Sequence, residues 1–219
     1  MKRIHLLLPM LILTAACGKI DLEGIEETKS YYCPVFSGIE VSDGLSVTVC
    51  DTASHITATA DIAVIRELHI QVDGGTLRVY LPERIAGKYK ADVMIPHYSL
   101  DSVTLSGGST FLSDIPYQVE SMTLTLSGGS TCRIPVTCKS AKVNLSGGSS
   151  LKESYCGSGL TCDRLSGSLS GGSDLTCHSD GKIDCSLSGG SVITYTGNAT
   201  TSGCKTSGGS KVSHKDNPA

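Results

Sequence analysis

The residues that could do chemistry are plentiful but do not converge. After Cys17 come Cys33, Cys50, Cys132, Cys138, Cys156, Cys162, Cys177, Cys185 and Cys204. Structural zinc is usually held by cysteines or histidines paired about two to four residues apart, and none of these spacings supplies such a pair. His55, His69, His97, His178 and His214 fall in no i, i+4 pair, the spacing that puts two ligands on one helix face. No metal and no cofactor is expected. Nine thiols is an odd number, so at least one stays free or pairs between chains. Two readings stand for the rest: buried thiols packed as small apolar groups, or disulfides between stacked strands.

Four carboxylates, Asp163, Asp174, Asp180 and Asp184, crowd the C-terminal half. Cutting a glycosidic bond needs two carboxylates about 5–10 Å apart. Asp163 beside Arg164, and Asp180 near Lys182, are the best raw material for attack on an acidic polysaccharide. A solvated face accounts for them equally well, because the four stand at four different phases of the repeat described next. The serines recur as Ser-Gly-Gly-Ser, which is not the G-x-S-x-G context of a nucleophile. A non-catalytic protein is therefore expected, with a polysaccharide-degrading β-helix enzyme as the alternative.

The elements that must position these residues are set by that serine-glycine phrase. It occurs six times, at spacings of 18 to 24 residues. Five copies follow a leucine: Leu105, Leu126, Leu145, Leu169 and Leu187; Thr206 replaces it in the last. Two residues before these positions stand Val103, Leu124, Val143, Gly167, Cys185 and Cys204. Six residues after them stand Phe111, Cys132, Leu151, Leu175, Ile193 and Val212. Alternation of period two marks half-buried strands on both sides of each Gly-Gly. The glycines Gly107, Gly108, Gly128, Gly129, Gly147, Gly148, Gly171, Gly172, Gly189, Gly190, Gly208 and Gly209 are read as corners, because glycine tolerates positive φ. A near-fixed period with strand patterning predicts an all-β parallel β-helix, one winding per copy, stacked ~4.8 Å apart. The five leucines form one inward ladder. One residue before each copy's leucine position, Thr104, Thr125, Asn144, Ser168, Ser186 and Lys205 form an outward polar column, the candidate binding face. Cys185 with Cys204, and Cys138 with Cys162, recur at the same phases of adjacent windings.

Residues 1–16 read as a secretory signal peptide: Lys2 and Arg3, an apolar run from Ile4 to Leu13, then Thr14-Ala15-Ala16. The stretch from Leu13 to Cys17 resembles a bacterial lipobox, which makes Cys17 the lipidated N-terminus and the membrane a partner through that lipid. Residues 17–30 are polar and acidic and are read as the tether. Residues 31–100 alternate like strands without the repeated phrase and are read as irregular first windings and an N-terminal cap. Val72-Asp73-Gly74-Gly75-Thr76 is expected to turn between strands, and Ile62 to His69 to include a helical turn. The regular windings span 101–213 and a polar tail 214–219. The formal net charge is −3 and no block of Lys or Arg stands out, so nucleic acid is excluded as a partner. With no Trp and two Phe, the composition suits a narrow interior better than an aromatic-lined pocket.

Phe36-Ser37-Gly38-Ile39-Glu40-Val41, then Asp73 to Val79, then Ile95-Pro96, then the Leu-Ser-Gly-Gly-Ser ladder, resemble one family over about residues 35–213. It is the family described as "putative auto-transporter adhesin, head GIN domain". The resemblance implies a right-handed β-helix-like solenoid and a secreted or lipid-anchored envelope protein, here an outer-membrane lipoprotein of a Gram-negative cell. It transfers no catalytic residues. The expected role is an adhesin-like binding surface or spacer, with a glycan or a surface protein as the partner.

Overall fold

The structure is a computed structural model and describes residues 20–82, 85 and 88–215. The stretch read as a signal peptide (1–16), Cys17 and residues 216–219 of the tail lie outside the described residues. Strand β1 (Glu26–Tyr31) lies within the stretch expected to be a tether. β2 (Gly38–Val41) turns into β3 (Ser46–Cys50), and β4 (Ile56–Asp61) follows. The helix α1 (Ile62–Glu67) starts at Asp61, whose carboxylate accepts from Ala63 N–H at 2.9 Å. Three of its six residues, Ala63, Val64 and Ile65, are buried, so packing rather than length holds it. β5 (His69–Asp73) and β6 (Thr76–Tyr80) form an antiparallel hairpin on Gly74-Gly75. Both glycines have positive φ, as a tight two-residue hairpin turn requires. β7 (Ala91–Pro96) completes this unit.

From β8 (Ser102–Leu105) and β9 (Thr110–Leu112) the chain repeats one winding. It passes through β10 (Tyr117–Leu126) and β11 (Thr131–Arg133), then β12 (Val136–Leu145) and β13 (Ser150–Lys152). β14 (Leu160–Leu169) and β15 (Asp174–His178) come next, then β16 (Lys182–Leu187) and β17 (Val192–Thr196), and finally β18 (Lys205–Thr206) and β19 (Lys211–His214). Even-numbered strands stack in parallel on one ladder and odd-numbered strands on another. The result is a β-solenoid of about five turns with a nearly closed, barrel-like sheet.

Order in space is not order in sequence at the N-terminal end. β8 pairs with β2 and β9 with β3, while β6 and β7 occupy the far sides of β2 and β3. β4 then pairs antiparallel with β7, and β1 with β4. These reversed strands end the parallel stack, which is how a repeat array protects an exposed edge.

The core follows the alternation in the sequence. Val79, Val41, Leu105, Leu126, Leu145, Leu169 and Leu187 are register partners in one ladder, all buried. Val93, Val47, Phe111, Cys132, Leu151, Leu175 and Ile193 form a second. Full burial of each such aliphatic side chain is worth about 1.5–3 kcal/mol, and it recurs every winding. Pairing skips Glu120, Lys139 and Asp163. At Glu120 and Ser121 two successive residues face water, so β10 bends there and its first turn forms a third side of the winding.

The first five Ser-Gly-Gly-Ser corners close in one way, while in the sixth the half-buried Ser210 hydroxyl accepts from Ser191 N–H at 3.0 Å. Both glycines take positive φ, +64° and +81° at Gly107 and Gly108 and similar values in every copy. The second serine (Ser109, Ser130, Ser149, Ser173, Ser191) is fully buried, and its hydroxyl donates to the carbonyl of the first at 2.7–2.9 Å. A buried hydroxyl needs such a partner. Asp43-Gly44 makes the same corner without the phrase: Asp43 has φ +63°, and Gly107 stacks on its backbone.

Candidate functional site

The outward column expected from the sequence exists in register. Thr104, Thr125, Asn144, Ser168, Ser186 and Lys205 follow one another across adjacent strands, and Glu40 and Arg78 extend the column at the capped end. Ser168 donates its hydroxyl to Asn144 Oδ1 at 3.1 Å, and Arg78 Nε lies 3.3 Å from Glu40. Ser168, Ser186 and Lys205 line a shallow depression of about 360 Å³. Thr104, Thr125 and Asn144 are half-buried on the flatter part of the same face.

A larger groove, of about 700 Å³, lies on the other ladder. β11 and β13 place Arg133 and Lys152 side by side as register partners. Thr176 and Thr194 continue across β15 and β17, and Ser213 follows on β19. A second row runs Thr161, His178, Thr196. His178 Nδ1 lies 2.9 Å from Thr196 Oγ1, and its Nε2 lies 3.3 Å from Asp180. Lys215 lines the far end. One wall is the loop between β13 and β14, residues 153–159. Arg133 Nη1 donates to the Glu153 carbonyl at 2.7 Å, and its guanidinium lies 4.8 Å from the centre of the Tyr155 ring. Tyr155 N–H donates to Asp114 at 3.0 Å, and Ser154 N–H to the Ser158 carbonyl at 2.7 Å. The loop is thus braced rather than open. Among the described residues neither Lys152 nor Lys215 joins an ion pair.

The groove was missed in the sequence because its residues come from five windings. One signal pointed to it. The interval between the third and fourth copies is the longest, and the extra residues are the 153–159 loop; insertions in repeat arrays gather on one face.

The four carboxylates have different surroundings, although the Asp163 backbone lies against Gly181, the residue after Asp180. Asp163 sits at the bend beside Lys139, and Asp174 at the rim of the groove. Asp180 accepts from Asn198 N–H at 2.9 Å, which with His178 holds its carboxyl below the usual range. Asp184 pairs with Lys182 at 2.9 Å and is lowered by it. Among the described residues no three His, Cys, Asp or Glu side chains converge as metal ligands.

The nine described cysteines are free thiols. Cys138 and Cys162 are register partners, both buried. Cys185 is buried; Cys204, in the next winding, is half-buried, with Sγ 3.3 Å from the Ile183 carbonyl. Burial pushes Cys138 up to about 11 and Cys177 and Cys185 up to about 12, so these thiols pack as small apolar groups. Cys156 is the exception. It is exposed, and hydrogen bonding from Ser154 lowers its pKa.

Stacked parallel windings, a reversed-strand cap and continuous polar outer faces define a β-solenoid repeat protein. The chain belongs to the family described as "putative auto-transporter adhesin, head GIN domain", whose model matches residues 35–155. Solved structures share the fold at low identity. A putative adhesin from Parabacteroides merdae is 17% identical, covers 90% of this chain and 99% of its own, and has a TM-score of 0.57. One from Bacteroides fragilis is 15% identical with the same coverage and a TM-score of 0.63. A protein described as a putative lipid binding protein, from Parabacteroides distasonis, is 16% identical over 90% and 100% of the two chains, with a TM-score of 0.53. None of the curated proteins compared with it matches this chain. Among the described residues no helix is long and apolar enough to cross a membrane.

Proposed function

We propose that this is a non-catalytic cell-envelope protein, anchored to the outer membrane through lipid on Cys17, whose solenoid faces hold an external partner. One observation carries the reading: two outward faces run in register across successive windings and are lined by hydroxyls and by lysines that join no ion pair among the described residues, as a surface that grips an extended ligand requires. Membership of an adhesin family agrees with a place in the cell envelope. The anchor rests on the sequence around Cys17. Cys17→Ser is expected to abolish fatty-acid labelling and release the chain from membranes; a mutant that still labels defeats that part.

The binding role is tested by passing the full-length chain over immobilised glycans and whole cells, with product assays alongside. Retention without turnover supports the reading. Turnover abolished by changing Asp163, Asp174, Asp180 or Asp184 replaces it with the polysaccharide-degrading alternative. Neither retention nor turnover leaves a spacer scaffold and refutes adhesion.

A further inference from the structure

We propose that the groove walled by residues 153–159 is a subsite for a linear acidic oligosaccharide, its chain crossing the rungs and its acidic groups meeting Arg133 and Lys152. The inference rests on the adhesive reading above and names the ligand chemistry for this face.

The geometry selects the ligand in three steps. Arg133 and Lys152 stand on adjacent strands, about 4.8 Å apart along the stack, so two positive groups repeat at roughly the spacing of neighbouring units in an extended chain. Like charges on directly paired residues of neighbouring strands repel each other. An anion bound between them relieves that repulsion, and ion-assisted hydrogen bonds are about twice as strong as neutral ones. Lys152 is exposed and, among the described residues, joins no ion pair, so its charge is available.

Beyond the cations the floor is a field of neutral polar groups. Thr176 and Thr194 continue one row; Thr161, His178 and Thr196 make the other. Hydroxyls and imidazole exchange hydrogen bonds with sugar hydroxyls in both directions. Of the apolar lining residues, Leu160 and Cys177 are buried, so the floor offers no greasy track for an acyl chain. Five rungs, four spacings of ~4.8 Å, span roughly 19 Å, which fits an oligomer and exceeds a single sugar. Two carboxylates, Glu153 and Asp174, also line the groove, and Lys215 closes its far end. Glu153 follows Lys152 in the chain and Asp174 pairs with Ser150, so both carboxylates lie on the Lys152 side, where three cations against two carboxylates leave the lining with a net positive charge. Arg133 is already fixed by the Glu153 carbonyl and the Tyr155 ring, so its side chain is ordered before the ligand arrives.

The test is calorimetric titration of the full-length chain with three probes: a galacturonate hexasaccharide, its methyl ester, and a sulfated hexasaccharide. Either acidic probe is expected to bind more tightly than the ester, with affinity falling as salt rises, and the two acidic probes separate carboxylate from sulfate as the source. Lys152→Gln, on an exposed side chain, is expected to weaken acidic binding about tenfold, and Lys142→Gln, exposed outside this groove, to leave it unchanged. Equal binding of ester and acid, an unaffected Lys152→Gln, or no binding of either acidic probe overturns the proposal. If acidic binding persists in Lys152→Gln but is lost in Lys205→Gln, the groove is the wrong place while the adhesive reading stands. If the chain holds to cells yet takes neither acidic probe, the ligand chemistry fails and the adhesive reading survives.

Discussion

Replacing Gly128 with alanine should cost far more than replacing its neighbour Gly129. Both have positive φ, +65° and +80°, so each substitution meets the left-handed penalty of about 1–2 kcal/mol for an L residue. The surroundings differ. A Cβ on Gly128 would stand 3.1 Å from Gly107 N and 3.5 Å from its Cα; a Cβ on Gly129 would meet nothing within 4 Å. The obstacle at Gly128 is backbone, and Gly147 stacks on Gly128 from the other side, so the corner cannot slide away. Overpacking of this kind adds about 1–3 kcal/mol. Gly129→Ala should therefore lose about 1–2 kcal/mol, and Gly128→Ala about 2–5 kcal/mol. At about 2–4 °C per kcal/mol for a chain of this size, the midpoints should separate clearly. Thermal and urea unfolding followed by circular dichroism would measure both, with equal urea slopes as the check that the states compared are the same. Equal losses, or a greater loss at Gly129, would refute the idea that stacked corners exclude Cβ. Asp43 already illustrates the logic. It bears a side chain at the same kind of corner, but no Gly-Gly corner precedes it in the stack.

Three further outcomes follow from the same details. Ser149→Ala removes a buried hydroxyl that donates to the Ser146 carbonyl, and should cost about 1 kcal/mol in urea unfolding; no change would mean the hydroxyl does not close the corner. In the native protein, maleimide should label Cys156 ahead of Cys132, Cys162, Cys177 and Cys185, which should react only after denaturation; mass spectrometry reads the order, and rapid labelling of Cys185 would show that it does not point inward. The Asp180 carboxyl is depressed in the folded state, so its stabilisation is present above the usual carboxylate pKa of about 3.9 and lost as pH falls through the lower folded value. Melting temperature should drop in that acidic window, and less steeply in Asp180→Asn.

The regular windings were legible because their two constraints are written as letters: an apolar residue at nearly every inward position, Gly167 and Thr206 being the departures, and a glycine pair at every corner. Gly74-Gly75 was legible as a hairpin for the same reason. Asp43-Gly44 was not, since aspartate can adopt positive φ and leaves no signature there. The second serine of each corner looked like one more surface hydroxyl, because burial of a polar side chain depends on the carbonyl it reaches. β1 lay hidden in an acidic stretch whose partner strand begins about thirty residues later. The groove was hardest to see: Arg133, Lys152, His178 and Lys215 are neighbours only after the windings stack.

The displaced rung order at the capped end has a consequence for how the molecule assembles. β2 and β3 precede every other strand of the parallel stack, yet both of their edges are filled by later segments, β6 and β7 on one side and β8 and β9 on the other. That pair is a seed with two growing fronts. One front must wait for a return of some forty residues and then ends in reversed strands. The other accepts windings of about twenty residues one at a time, each needing only the last. Emergence of the chain N-terminus first suits the second front: every rung has its template already in place. Pulsed hydrogen exchange during refolding should show β2, β3, β8 and β9 protected before β18 and β19. The solenoid's length is then a variable that selection can adjust by whole windings without disturbing the seed.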